Sequence, residues 1–226
     1  MNMQRTRRIV TSEKIVDDLL KKIESLKYMP GELISEGDLC AAYDTTRHTV
    51  RGALAVLKER GFVDVFPQRG TFVSLIDLDF INDVLYLREA IEQETVRRII
   101  EKGNNEKLIK DLRACLAKQK AIKDYKADPN AFYKLDDEFH NLLLAAVGRP
   151  HLPNLYEDAF MHVRRWRNME VGTLERIGDL PKEHEMIIEA IEKEDIVTAR
   201  DVINHHIDSV GRYGNEMKKK YPEFFI

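Results

Sequence analysis

Residues 35–73 read SEGDLCAAYDTTRHTVRGALAVLKERGFVDVFPQRGTFV, and their order decides how the first third of the chain folds. Ser35 reads as an N-cap for a short helix over Glu36–Tyr43. A tight turn at Asp44-Thr45 follows. Thr46 then caps a second helix over Arg47–Arg60, with Val50, Leu54 and Leu57 facing inward. Gly61 ends that helix. Phe62–Phe66 reads as a strand, Pro67-Gln68-Arg69-Gly70 as a turn, and Thr71–Leu75 as a second strand. Upstream, Thr11–Lys27 places Ile15, Leu19, Leu20 and Ile23 on one face of a further helix. A helix, a helix-turn-helix and a two-stranded wing follow the order of a winged helix-turn-helix.

That order carries a chemistry. A recognition helix reads the major groove with the residues near its N-terminus. Thr46, Arg47, His48, Thr49 and Arg51 cluster there. Arg suits bidentate contact with guanine, and a helix N-terminus with a hydroxyl suits a phosphate. At the wing tip, Arg69 offers a cation beside Gly70, which has no side chain to hold backbone or minor groove away. Taken singly, each of these is an ordinary solvated residue. Taken in this order, they point to double-stranded DNA.

The whole-chain charge of −3 hides this surface. Residues 1–76 hold 12 Lys and Arg against 10 Asp and Glu, whereas 77–226 hold 24 against 29. Within Thr46–Gly70, Arg47, Arg51, Lys58, Arg60 and Arg69 face only Glu59 and Asp64. The 226 residues suit one large domain or two small ones. No apolar run is long enough to span a membrane, and Met1 to Val10 lacks the pattern of a secretory signal. Cys40 and Cys115 form no framework and read as reduced thiols, so a cytoplasmic protein is expected.

From about Asp79 the pattern is helical. Apolar residues recur at helical steps in 80–102, 105–124, 129–147, 152–169, 182–193 and 195–220. Breaks fall at Gly103-Asn104-Asn105, Asp128-Pro129, Gly148-Arg149-Pro150 and Gly178-Asp179-Leu180-Pro181. The chain is therefore mainly α. A winged helix-turn-helix domain over 1–76 precedes an all-α bundle of six or seven helices over 77–226. In that bundle Asp136 and His140 stand at i, i+4 on one helical face, beside buried Phe132, Phe139, Leu143 and Leu144. His184 lies in the first turn after Pro181. His206 falls on the apolar side of the last helix, and His205 points nearer to solvent. By spacing alone, a carboxylate–imidazole pair is half a metal site or a local hydrogen bond, and a lone His on an apolar face is a satisfied core residue. One Asp and three His suit Zn²⁺, Ni²⁺ or Mn²⁺ by ligand type.

The motifs also carry a resemblance. Tyr28-Met29-Pro30-Gly31, Leu33-Ile34-Ser35-Glu36, Thr46-Arg47-His48-Thr49-Val50-Arg51-Gly52-Ala53-Leu54, Gly61-Phe62-Val63 and Pro67-Gln68-Arg69-Gly70-Thr71-Phe72-Val73 resemble the GntR family of transcription regulators over 10–75. The resemblance implies Arg47 and Arg51 as DNA contacts, Thr46 as a phosphate or base contact, and Gly70 at the wing tip. Three departures stand out. His48-Thr49 replaces the common Thr-Pro, Gly52 replaces a Glu, and Gly37 sits where some members carry an Arg. Leu85-Tyr86-Leu87-Arg88, Leu135-Asp136, Phe139-His140, Glu183-His184 and His206 resemble the FCD ligand-binding domain of the FadR subfamily. That resemblance implies a divalent metal on Asp136, His140, His184 and His206, with zinc foremost and nickel or manganese as alternatives. It also implies a small carboxylate effector that meets the metal and Arg88. Arg88 has a second reading, an ion pair with Glu92 at i, i+4. Asn82, Arg164 and Arg165 are further candidates for the effector, and Trp166 reads as packing.

The expectation is a homodimeric, ligand-responsive repressor on a palindromic operator, not an enzyme. The alternative is a metal-free helical regulator responding to an apolar or acyl ligand. A metal hydrolase is disfavoured because no HExxH helix is present.

Overall fold

The computed structural model describes residues 10–122, 129–171, 179–211 and 213–226. Met1–Ile9, Asp128 and Gly178, on which parts of the sequence reading fall, lie outside the described residues. The chain forms two compact units. One ends at Ile76 and includes Tyr221–Ile226; the other is Asp77–Lys220.

In the first unit, α1 (Ser12–Glu24) is started by Thr11, whose hydroxyl accepts from the Lys14 N–H. Its apolar residues, Ile15, Val16, Leu19, Leu20 and Ile23, all lie on the buried face. Helix α2 (Glu36–Tyr43) is capped by Ser35 and closes on Asp44 in the left-handed conformation, with φ +47°. That reversal delivers the chain to α3 (Arg47–Glu59), capped by Thr46, which buries Val50, Ala53, Leu54 and Leu57 against α1. Gly52 stands where α3 passes the start of α1: a Cβ on it would lie 3.0 Å from the Ser12 hydroxyl. That hydroxyl donates to the Thr49 carbonyl at 3.1 Å. Close approach thus explains a glycine that costs about 1 kcal/mol of helix propensity.

The wing has three strands rather than the expected two. Strand β1 (Leu33–Ile34) joins β2 (Val63–Phe66) and β3 (Gly70–Val73) in an antiparallel sheet of order β1-β3-β2. Two residues are too few to show alternation, so β1 has no sequence signal; pairing with Thr71 and Phe72 creates it. The last six residues also differ from the boundary drawn on the sequence, which gave them to the bundle. They pair with the end of the first unit: the Ile76 N–H donates to the Phe224 carbonyl at 2.8 Å, and the Ile226 N–H to the Ile76 carbonyl at 3.1 Å. Phe225 is buried there.

The second unit is helical throughout its described residues. It contains α4 (Leu78–Lys102), α5 (Glu106–Lys120), α6 (Pro129–Ala146), α7 (Leu152–Leu155), α8 (Glu157–Val171), α9 (Leu180–Glu192), α10 (Ile196–Gly211) and α11 (Gly214–Lys220). Two expected helices are broken. The 152–169 segment leaves helical geometry at Tyr156, with φ −129°. The last segment ends at Gly211 and restarts at Gly214. Helix α4 packs on α10, and α5 packs on α6 and α9. Trp166 is fully buried and donates its indole N–H to the Val210 carbonyl at 2.9 Å, so it packs as expected. No described helix is long and apolar enough to cross a membrane. Set into this apolar interior are ionisable side chains from five helices, α4, α6, α8, α9 and α10, a placement that is costly unless each finds a partner.

Candidate metal centre and nucleic-acid interface

Helix α6 presents Asp136 and His140 one turn apart, α9 presents His184 and α10 presents His206. All four are buried. One donor atom from each lies within 4.8 Å of the others, and this is the group of such side chains found among the described residues. Three separations are shorter. His140 Nε2 and His206 Nε2 are 3.2 Å apart, His184 Nε2 and Asp136 Oδ1 3.4 Å, and His140 Nε2 and Asp136 Oδ1 3.9 Å. Donors held at about 2.0–2.1 Å around a tetrahedral ion lie about 3.3 Å apart.

The remote atom of each of these side chains is held by a second residue. Glu92 Oε2 lies 2.8 Å from His140 Nδ1, and Glu183 Oε2 lies 2.7 Å from His206 Nδ1. Gln119 Oε1 lies 2.8 Å from His184 Nδ1, and Arg167 Nη1 donates to Asp136 Oδ2 at 2.7 Å. This is the outer-shell pattern that orients metal-ligating side chains. Its consequence is a set of lone pairs pointing at one another. With the Nδ1–H groups of His184 and His206 given to Gln119 and Glu183, their Nε2 atoms are acceptors, while Glu92 Oε2 and His140 Nδ1 meet at ion-pair distance without hydrogen-bond geometry. Asp136 Oδ1 and His184 Nε2 are buried with no hydrogen-bond partner among the described residues. Converging, unmet acceptors are costly, and a bound cation satisfies all of them at once. The donor set therefore fits a divalent metal.

The electrostatics agree. Burial raises the Asp136 pKa, but Arg167 and then the histidines outweigh it and hold the carboxyl well below its usual 3.8. Burial pushes His184 well below 6.5. It lowers His206 as well, against the opposing pull of Glu183. Both imidazoles are thus biased to the neutral form that ligates metal. Burial raises Glu92, yet His140 and Arg88 draw it down to about 2. Cys115 is outside the cluster: its thiol donates to the Leu135 carbonyl at 3.2 Å, and burial pushes it up to about 11.

Arg88 satisfies its second reading. Its Nε donates to Glu92 Oε1 at 2.6 Å with both side chains 4% exposed, and its guanidinium stands 5.1 Å from the Phe160 ring. Arg164 pairs with Asp137 and Glu157, Arg165 is buried in α8, and Asn82 lines a groove with Tyr86 and Gly211. His205 is 61% exposed, and His162 packs edge-on against Phe80. Gln119, Glu183 and Arg167 were missed in the sequence. They sit on three different helices with no shared spacing, and only the candidate ligands they touch, His184, His206 and Asp136, reveal them.

In the first unit, Arg47 and His48 are exposed at the start of α3. Thr46 uses its hydroxyl to accept from the Thr49 N–H at 3.3 Å, and the two hydroxyls are 3.1 Å apart. Arg51 is exposed, with Nε 3.0 Å from both oxygens of Glu36 in α2. This contact uses the Nε edge of a side chain that is 65% exposed. Arg69 lies over the Phe66 ring at 5.4 Å. Gly70 has a structural reason beyond a slim wing tip. Its φ is +118°, and a Cβ would sit 2.8 Å from Leu33 Cδ1.

Comparison with known families decides what this pairing of units is. Residues 11–73 match the bacterial regulatory proteins of the gntR family, and residues 83–209, more than half of the chain, match the FCD domain. The chain belongs to the GntR regulators that carry an FCD domain. This GntR/FCD chain is 28% identical over 207 residues to an uncharacterized HTH-type transcriptional regulator of Streptomyces ambofaciens, covering 92% of this chain and 86% of that one. It is 24% identical over 217 residues to the transcriptional repressor RspR of Escherichia coli, covering 95% and 93%. A GntR transcriptional regulator from Rhodococcus shares the fold with TM-score 0.70 and 20% identity, covering 89% of this chain and 95% of that one. As a GntR/FCD protein it is a DNA-binding transcription regulator, and the FCD half is the part suited to a small-molecule effector.

Proposed function

We propose that this GntR/FCD protein is a homodimeric repressor of the FadR subfamily whose DNA affinity is set by a small carboxylate bound at a divalent metal. The observation that carries the reading is the convergence of Asp136 Oδ1 and three Nε2 atoms, each with its remote atom already engaged. Asp136, His140, His184 and His206 hold the ion, with zinc foremost among candidates that include nickel and manganese. When bound, the ion supplies a Lewis-acid seat for a carboxylate oxygen. Arg88 supplies a buried cation for the same ligand. Its Nε is used by Glu92, so the effector meets the opposite end of the guanidinium.

On the DNA side, Arg47, His48, Thr49 and Arg51 read base edges from the N-terminus of α3. Thr46 contacts a phosphate, and Arg69 with Gly70 brings the wing to the backbone. Two protomers on a palindrome match protein symmetry to half-site spacing. The effector regulates by binding the DNA-competent and incompetent states with different affinity.

Metal analysis of the purified protein, with the Asp136→Ala, His184→Ala double variant beside it, tests this. One ion per chain in wild type and none in the variant is expected. Equal metal content in both, or an unchanged response of DNA binding to chelation and readdition of Zn²⁺, would overturn the reading. Absence of metal in wild type would favour an apolar or acyl ligand.

A further inference from the structure

Helix α5 contributes no ligand to the metal centre, yet its last turn reaches it. Gln119 is fully buried, and its amide spans two ligand-bearing helices. The Nε2 end lies 2.9 Å from the Leu135 carbonyl, and Leu135 immediately precedes Asp136 on α6. The Oε1 end lies 2.8 Å from His184 Nδ1 on α9. Which end of a glutamine amide is which follows from its network. A backbone carbonyl only accepts, so the NH₂ group must face Leu135. The oxygen is then left for His184 and requires a hydrogen on Nδ1.

The ring contact of His184 with Phe139 cannot do this. Phe139 stacks on its ring at 4.1 Å and 16°. Stacking fixes the plane but is indifferent to a flip that exchanges nitrogen and carbon positions. The amide oxygen is not indifferent, because only one flip brings an N–H to it. His140 and His206 are backed by carboxylates instead, Glu92 and Glu183. A carboxylate accepts from a neutral ring and also stabilises a charged one. A neutral amide oxygen orients the ring without adding charge.

We infer that Gln119 is the positioning residue for His184: it fixes the Nδ1–H tautomer and aims the Nε2 lone pair at Asp136 Oδ1, 3.4 Å away. This rests on the metal reading proposed above and adds a residue, and a helix, that the ligand set does not include.

The test uses the full chain and Zn²⁺ as the probe. Imidazole nitrogen NMR of the metal-free protein reports the His184 tautomer directly, and competition against a chelating indicator gives Zn²⁺ affinity. The wild type is expected to show Nδ1–H. Gln119→Met keeps length and apolar packing but has no acceptor; it should lose the single tautomer and bind Zn²⁺ about 10- to 100-fold more weakly. Gln119→Glu restores an acceptor and should recover most of that loss. Tautomer and rescue separate positioning from packing. A wild type with hydrogen on Nε2 overturns the inference without any variant. So does a folded Gln119→Met with wild-type Zn²⁺ affinity while Asp136→Ala has lost it, which leaves the metal reading standing. If the wild type takes up no Zn²⁺ but shows Nδ1–H, the metal reading has failed and this inference falls with it.

Discussion

Arg88 is held in a buried ion pair, and the proposed effector role would draw on the same guanidinium. Its ion pair with Glu92 is buried, and Glu92 is also 2.8 Å from His140 Nδ1. Removing one partner of a buried pair strands the other, at a cost of about 3–5 kcal/mol. Arg88→Ala should therefore lower the melting temperature of the metal-free protein as well as abolish any carboxylate response. A variant that loses the response at unchanged stability would show that the pair is not structural. The histidines set a pH dependence of definite sign. His184 and His206 are held below 6.5, so on acidification the unfolded chain takes up protons first. Stability is fully present above pH 6.5 and drains as pH falls below it. Asp136 and Glu92, held below 3.8 and 4.5, add a further loss in the more acid range. Metal retention should follow the same direction, since protons compete for the imidazoles. Denaturant midpoints and metal content across pH 4–8 check both; a protein more stable at pH 5 than at pH 7 would contradict the assignment.

Elements show which parts of this design are local. The caps Ser35 and Thr46 sit where the sequence places them, because each needs only a hydroxyl and an N–H three residues on. Thr46→Ala should cost about 1 kcal/mol through the lost cap, and more in DNA affinity than in stability if the hydroxyl also meets phosphate. The basic residues separate by salt dependence. Arg69→Ala should weaken binding to all duplexes alike and reduce the salt slope by about 1. Arg47→Ala should instead relax the preference among operator sequences. Titrations on several duplexes at several salt concentrations distinguish the two, and identical behaviour of the two variants would remove the division between wing and helix. Glu36 was not legible as part of this surface, because its relation to Arg51 depends on how α2 meets α3 rather than on spacing. The short strand β1 was illegible for a similar reason: its two residues acquire a partner only when β3 arrives beside them.

At the scale of the whole molecule, the chain crosses between its two units twice, at Ile76–Asp77 and at Lys220–Tyr221. The returning tail is bonded to Ile76 on both sides of Phe225, which is 5% exposed. Phe225→Ala should destabilise the DNA-binding unit by about 3 kcal/mol while leaving Zn²⁺ uptake by the bundle intact. Unfolding followed by separate probes in each unit would show this, and equal loss in both would refute it.

The sequence by itself determined the pieces that depend on near neighbours. Those are the caps, the order of helices and hairpin, the amphipathic faces of α1 and α3, and the i, i+4 pairing of Asp136 with His140. Spacing alone left His184 and His206 as ordinary core histidines, and only likeness to a family joined them to that pair. The tertiary structure decided the rest. It set Gln119, Glu183 and Arg167, on three helices, against atoms up to 65 residues away in the chain. It also returned the last six residues to the first unit. The reason is physical. A cap or an amphipathic stripe is fixed by distances along one helix, whereas a ring of acceptors around one point exists only after separate helices have packed.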